Sequence, residues 1–417
     1  MDTSVLKPDV IDSLNPIENQ PQSTLKSWFA LLSVAIGAFA LVTSEFLPVG
    51  LLSDIATDLN ITVGTAGLMV TAPGVVAAFA APLVTVSVGK IDRRYLLWGL
   101  TFLMIISNII ATFSTSFTVL LMGRLLLGVG IGGFWSIAVA LSGRLAPPGV
   151  SMGRASAIIF TGVTLATVLG VPIGSWIGNA LGWRASFAIT GILGVVVFIG
   201  QLIMLPSLPA TTAIKIRDLP VVFQHKYARI GLLGLVLLVF AHFSAYTYVT
   251  PFLEHNGGFD GNVVSALLLV FGIAGVVGNV ISGWATSRNI RKSFITVVAL
   301  IGIAMILFPL FAGHLAGAVL TIALWGLAFG AMPTCANMWM FAAVPEAMEG
   351  GAAIVVSTFQ VGIAAGSLLG GSIVDHFNIP SVMWVGGAVA AISFLILAIK
   401  GRGLPDTVTA DAPVAAH

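Results

Sequence analysis

Long apolar runs recur from residue 28 to residue 400 of this chain, broken only by glycine, proline, asparagine or charge. About 20 helical residues span the roughly 30 Å hydrocarbon core of a bilayer. Within lipid a chain must satisfy its own backbone donors and acceptors, so it crosses as helices or as a closed barrel. These runs are too long and too continuously apolar for barrel strands. They read as spans 28–52, 63–88, 95–115, 117–143, 155–180 and 184–205, then 229–253, 262–287, 293–313, 316–342, 350–374 and 380–400. The expected fold is therefore an all-α membrane protein of 12 helices. Charged residues make up 8% of the chain, against about 25% in soluble globules. The single cysteine, Cys335, excludes an intrachain disulfide or a Cys-rich metal site. A net charge of +2 gives no footprint for nucleic acid.

Charge placement orients the spans. Of the 18 Lys and Arg residues, Arg124 lies inside a span and Arg184 in a turn following an odd-numbered span; the others share the opposite side. The positive-inside rule puts that side, with both termini, in the cytoplasm. Residues 1–27 are polar and lack the basic start and apolar core of a secretory signal, so they read as a disordered cytoplasmic arm. A bundle over 28–205, a cytoplasmic linker over 206–228, a second bundle over 229–400 and a cytoplasmic tail over 401–417 complete the expected organisation.

Sliding the second half back by about 198 positions lays Arg291-Lys292 on Arg93-Arg94, Val344-Pro345 on Ala146-Pro147, Gly326 and Gly330 on Gly128 and Gly132, and His242 on Ser44. One shift that satisfies four separate regions implies two similar six-helix halves.

Polar residues inside spans are costly in lipid and mark candidate sites. Glu45 is the one acidic residue well inside a span, and an ionised group there costs about 2.5–3.5 kcal/mol on insertion scales. It is a functional candidate; the alternative is a structural hydrogen bond. Arg124 stays charged and needs a carboxylate, carbonyls or water. His242 has a side chain suited to proton exchange near neutrality, or it is a hydrogen-bonded packing residue. Asn108, Asn279, Asn337, Gln360 and the hydroxyls of Tyr246 and Tyr248 suit a cavity lined for a hydroxyl-rich solute, or serve as interhelical bonds. Trp135 is placed to stack on a ring. Asp54, Asp58, Glu254, Asp260 and Asp375 flank spans on the periplasmic side and read as solvated. No residue cluster has metal-ligand spacing, and no phosphate-binding loop points to ATP.

Twelve spans, a central linker and basic loops after spans two and eight resemble the major facilitator superfamily. Its loop signature, Gly-x-x-x-Asp-Arg-x-Gly-Arg-Arg, is degraded here: Thr85-Val-Ser-Val-Gly89-Lys90-Ile-Asp92-Arg93-Arg94 in one half and Gly283-Trp-Ala-Thr-Ser287-Arg288-Asn-Ile-Arg291-Lys292 in the other. The resemblance makes Lys90, Asp92, Arg93, Arg94, Arg288, Arg291 and Lys292 a candidate cytoplasmic gate. Their alternative role is to clasp helix ends or simply to set topology. Arg124-Leu-Leu-Leu-Gly128-Val-Gly130-Ile-Gly132 is similar to the superfamily's intramembrane arginine motif. Gly162 with Gly170-Val-Pro172-Ile-Gly174-Ser-Trp-Ile-Gly178 resembles the antiporter motif of proton-coupled exporters.

Ser44-Glu45-Phe46-Leu47-Pro48-Val49-Gly50, Gly133-Phe134-Trp135-Ser136, Gly182-Trp183-Arg184 and Ala241-His242-Phe-Ser-Ala-Tyr246 resemble the sugar-efflux and purine-ribonucleoside-efflux branch of the drug:proton antiporter-1 family. That resemblance implies a monomeric antiporter of the bacterial inner membrane, exchanging protons for a small solute without cofactor or metal. Glu45, Arg124 and His242 would couple protons, while Trp135, Asn108, Tyr246, Asn337 and Gln360 would contact substrate. A multidrug exporter, or a facilitator or symporter of a polar metabolite, shares the expected fold. Reporter fusions test the topology: one after Arg402 and one within 206–228 should both report cytoplasm, and a periplasmic signal from either overturns the six-plus-six scheme.

Overall fold

The computed structural model describes residues 24–87, 91–150, 152–209, 222–345 and 348–407. The opening arm to residue 23, Lys90, the middle of the linker and the tail from 408 lie outside them. Among the described residues the regular elements are helices, and they make 12 spans apolar and long enough to cross a membrane. Helix α1 (Thr24–Phe46) runs through a 3-10 turn at Leu47–Gly50 to the short α2 (Leu52–Asp58). The second span is α3 (Val63–Ala66) with α4 (Leu68–Ser87), followed by α5 (Arg93–Phe113) and α6 (Phe117–Leu145). The fifth joins α7 (Met152–Leu165), a π turn at Ala166–Gly170 and α8 (Val171–Leu181); α9 (Trp183–Met204) is the sixth. In the second half, α10 (Lys226–Tyr246) and α11 (Val249–His255) form one broken span. The rest are α12 (Gly261–Arg288), α13 (Ile290–Phe311), α14 (Leu315–Ala343), α15 (Met348–His376) and α16 (Ile379–Lys400).

The halves repeat each other in detail. Helices α6 and α14 each have 29 residues, and their caps, Ser116 and His314, coincide under the shift of about 198. Spans one and seven break at the same height into helices α2 and α11 of 7 residues each. After its last span each half folds back onto its third. The Leu208 carbonyl accepts from the Arg93 N–H at 2.9 Å, and the Asp406 carbonyl from the Ile290 N–H at 2.8 Å. One apolar core, from Ala30 to Leu208, is built only from the first half. A larger core fills the second half and, among the described residues, takes in Val49, Leu52, Ala56, Ala66, Val70 and Val171 of the first half as buried members. These six residues lie toward the end of the bundle away from the linker, called here the far end.

Close packing of spans one and five follows from glycine spacing. An added Cβ at Gly162 would strike the Ala35 carbonyl, at Gly170 the Thr43 side chain, at Gly174 Leu47 and at Gly178 Leu51. Two helices running in the same direction therefore meet in register along their length. Pro172 heads α8. It has no N–H for the Val168 carbonyl and its ring crowds that turn, which accounts for the π turn just before it. The bulge then meets Gly272 of α12, where a Cβ would collide with the backbone of Val168. The fifth span is thus the joint between the bundles on this side.

Gly174→Leu should cost about 1–3 kcal/mol by overpacking this joint. Gly200→Leu, where a Cβ meets nothing within 4 Å, should be nearly neutral. Unfolding in mixed detergent–dodecyl sulfate micelles measures both, and equal stabilities would reduce the motif to ordinary surface glycines.

Candidate functional site

At mid-height, Arg124 is 1% exposed and donates all its bonds to backbone. Its Nε reaches the Met69 carbonyl at 2.9 Å, Nη1 the Ser44 carbonyl at 2.7 Å and Nη2 the Glu45 carbonyl at 2.6 Å. The sequence explains why these carbonyls need a donor. Ser44 and Met69 would bond the amides four residues on, which are Pro48 and Pro73; proline has none to give. Past Phe46 the helix tightens to i→i+3 bonding, which withdraws the partner of the Glu45 carbonyl as well. In lipid such orphans are expensive. One guanidinium from span four satisfies orphans on spans one and two.

Arg124 therefore does not pair with the Glu45 carboxylate. The ion pair within 4.0 Å found among the described residues is Arg184–Asp58, elsewhere. The Glu45 side chain is 3% exposed and faces the other bundle, where Gln360 Nε2 of α15 donates to its Oε1 at 3.4 Å. Gln360 Oε1 is buried without a donor. A protonated Glu45 carries the O–H that would complete a reciprocal acid–amide pair; an ionised one offers only acceptors.

His242 is fully buried in a ring cluster. Phe329 stacks on it at 4.0 Å, Tyr246 at 5.0 Å and Phe271 at 6.2 Å, while Phe243 and Trp325 meet it edge-on. The Trp325 indole N–H donates to His242 Nδ1 at 3.0 Å. An indole only donates, so Nδ1 bears a lone pair and the ring is the neutral Nε2–H tautomer. Phe46 stacks on Phe243 at 5.5 Å, so an aromatic contact, rather than a hydrogen bond, links the neighbourhoods of Glu45 and His242.

The described hydrogen bonds between bundles run from this level to the far end. Ser367 donates to the Gly67 carbonyl at 3.0 Å. Ser265 of α12 donates to Ser175 at 3.0 Å, and Ser175 donates to the Gly50 carbonyl at 3.0 Å. At the rim, Asp375 accepts from the Thr62 hydroxyl at 2.7 Å and the Gly64 N–H at 2.9 Å. Asp375 thereby holds the start of span two while staying exposed, as expected of a solvated flank. Asp58 is likewise exposed, and it pairs there with Arg184 at 2.6 Å. Asp260 caps α12 by accepting from the Asn262 and Val263 amides. Of the two readings of Tyr248, the interhelical bond holds: it donates to the Ser367 carbonyl at 2.8 Å and is fully buried.

Other expected contacts move too. Asn108 does not line a cavity: it is 1% exposed, and its Nδ2 donates to Ser44 Oγ and to the Met104 carbonyl. Asn337 turns back to the Pro333 carbonyl of its own helix at 2.9 Å. Asn279 accepts from Thr334 at 2.8 Å, tying α12 to α14. Trp135 is half-buried and stacks on Phe160 at 5.7 Å. Tyr246 lies against His242 and Phe271.

The expected gate residues bind within their own halves. Asp92 caps α5 and accepts from Ser207 Oγ and the Leu208 N–H. Burial disfavours its charge, but these bonds, the Arg94 amide and the Arg94 guanidinium outweigh it and hold the carboxyl below the usual range. Arg93 reaches the Ile91 carbonyl, Arg94 lies over Tyr95 and Trp98, and Arg288 lies over Trp284. Arg291 clasps the Ala398 carbonyl near the end of α16 at 2.6 Å, and the Lys292 amide is capped by Asn289. Lys90 lies outside the described residues.

Two pseudo-symmetric six-helix bundles, meeting along a polar mid-membrane seam and bonded at one end, define a membrane transporter of the two-bundle type. The model of the Major Facilitator Superfamily matches residues 34–356. The chain belongs to that superfamily. It is 31% identical over 379 residues to the purine ribonucleoside efflux pump NepI of Salmonella paratyphi A, covering 91% of this chain and 95% of the relative. It is also 33% identical over 396 residues to the transcription regulatory protein OpdE of Pseudomonas aeruginosa, covering 94% of this chain and 97% of that one. In fold it is similar to a bacterial homolog of the human lysosomal transporter Spinster in an inward-facing, occupied conformation. The TM-score is 0.71 at 14% identity, covering 91% of this chain and 98% of that chain.

The proline account makes a quantitative expectation. Arg124→Gln should cost about 3 kcal/mol or more, since each orphaned buried group costs about 1–3 kcal/mol. In that background Pro48→Ala with Pro73→Ala restores two amides and should recover about 1–2 kcal/mol. The same alanines should give no such gain when Arg124 is present. Detergent unfolding of the four proteins measures the coupling; strict additivity would sink the account.

Proposed function

We propose that this protein is a proton-coupled exporter of the bacterial inner membrane, exchanging inward-moving protons for a small nucleoside- or sugar-like solute. The observation that carries this reading is the Glu45–Gln360 contact across the seam. It is a buried carboxyl whose nearby cation is committed to carbonyls and whose partner amide keeps an unused acceptor. Protonation alone turns it into a reciprocal pair joining the two bundles.

In the proposed cycle, Glu45 takes its proton while the site faces the periplasm. The neutral acid pairs with Gln360 as the far end closes, and the proton leaves toward the cytoplasm as solute binds. The positive-inside pattern supports far end as periplasm and both termini as cytoplasmic. The NepI relatives, named for purine ribonucleoside efflux, support a nucleoside as first candidate. Tyr246, Trp135 and Gln360 remain proposed substrate contacts, and Asn337 a neighbouring one. His242 acts through the ring cluster it organises.

The test is transport in proteoliposomes of stated polarity with a pH gradient and radiolabelled inosine, adenosine or arabinose. Glu45→Gln keeps the shape and can still pair with Gln360 but cannot titrate. It should lose gradient-driven transport down to empty-vesicle background while retaining solute exchange without a gradient. Full gradient-driven transport by this variant overturns the mechanism. Wild-type transport indifferent to a protonophore would instead make the protein a facilitator.

A further inference from the structure

At the linker end, where span seven begins and span twelve ends, Lys226, Tyr227, Ile399, Lys400, Arg402 and Gly403 line an open-sided cavity of about 640 Å³. Three of the six lining residues are cations. Among the described residues no carboxylate lies within 4.0 Å of them.

The wall of this cavity is held in place. After α16 the chain turns back, the Leu404 N–H reaching the Gly401 carbonyl at 3.2 Å, and Leu404 is buried. Asp406 then anchors to α13 through the Ile290 N–H at 2.8 Å and Asn289 Nδ2 at 2.6 Å. Gly403 lies so close to the Tyr227 hydroxyl that a Cβ there would overlap it, and a Cβ at Gly401 would meet the Trp339 ring at 2.5 Å. Trp339 in turn donates to the Tyr227 carbonyl at 2.9 Å. Arg402 is thereby presented beside Lys226 and Lys400 rather than left on a free tail.

The pseudo-symmetric half supplies a comparison within the same molecule. At its equivalent corner it carries Lys26, but its sixth span ends Leu202-Ile-Met-Leu-Pro206 without a cation. Setting the topology did not require the extra pair in one half alone. We propose that this cavity is a binding site for the phosphate of an anionic phospholipid, seated between spans seven and twelve. Arg402 offers a planar fork to the phosphodiester, and Lys226 and Lys400 add point charges. The Tyr227 hydroxyl is a further donor, and Ile399, 58% exposed, leads from the charges to the acyl region. Basic pockets between helices at this depth suit anionic headgroups.

The experiment is native mass spectrometry of the full-length protein in detergent, titrated separately with phosphatidylglycerol, phosphatidylcholine and inorganic phosphate. Wild type should retain phosphatidylglycerol adducts in preference to phosphatidylcholine. Lys226→Gln/Lys400→Gln/Arg402→Gln should weaken them about a hundredfold, the loss expected when three cations leave an anionic headgroup. A charge-matched control, Lys26→Gln/Arg144→Gln/Arg288→Gln, should keep them. Inorganic phosphate that binds wild type and displaces the lipid would keep the phosphate site but make free phosphate its source. Equal lipid retention by wild type and the cavity variant, or equal loss in the control, overturns the proposal.

Discussion

A carbonyl buried in lipid without a donor is the constraint on which this architecture turns. Pro48 and Pro73 each deny a backbone oxygen its helical amide, and the tightened turn after Phe46 denies a third. Arg124 meets all three. The cost of burying a guanidinium is offset because each of its bonds removes another buried orphan. Spans one, two and four are thereby locked at one height, and span one ends its regular helix there. With the cation fully engaged by backbone, the Glu45 side chain is left to answer to the opposite bundle.

The contacts between halves divide by chemistry. Glycines let backbones touch where the fifth and eighth spans meet, at Val168 against Gly272. Hydroxyls and one carboxylate then bridge toward the far rim: Ser265 to Ser175, Ser367 to Gly67, and Asp375 to Thr62 and Gly64. Such bonds are individually modest and exchange readily for water, about 0.5–1.5 kcal/mol net for a typical pair. A seal made of several weak, local bonds can open without unfolding either bundle, each of which has apolar core of its own.

Much of this was legible in the chain. Periodicity, glycine breaks and the shift of about 198 placed the spans within a few residues of the observed helices. The two-bundle fold followed from them. Glu45 stood out because a carboxylate in an apolar run is costly wherever it ends up. Partners were harder, because a span's polar residue has several faces to satisfy it and the sequence does not say which helix lies opposite. Asn108 leaves a cavity lining and an interhelical bond both open, and only the fold shows Ser44 of span one taking its donor. Asp375 reads as a solvated flank and is exposed, but its bonding partners lie more than 300 positions away and leave no local signal. The Arg124 brace did leave a signal, a proline four residues after Ser44 and again after Met69; it becomes visible only once the question is which carbonyl has lost its amide.

Under the proposed mechanism, the position of Glu45 matters as much as its proton. Its backbone carbonyl is bonded by Arg124 while its side chain meets Gln360 of the other half, so one residue is fixed to its own bundle through the main chain and senses the opposite bundle through the carboxyl. Changing the charge there acts on the seam and leaves in place the three bonds of Arg124, which are to carbonyls that do not titrate. The N-terminal bundle keeps its internal lock in both protonation states, and the hydrogen bond that changes with the proton is the contact between bundles. A coupling device needs that separation. Were Arg124 paired with the carboxylate instead, each proton would also break and remake the bundle's own brace.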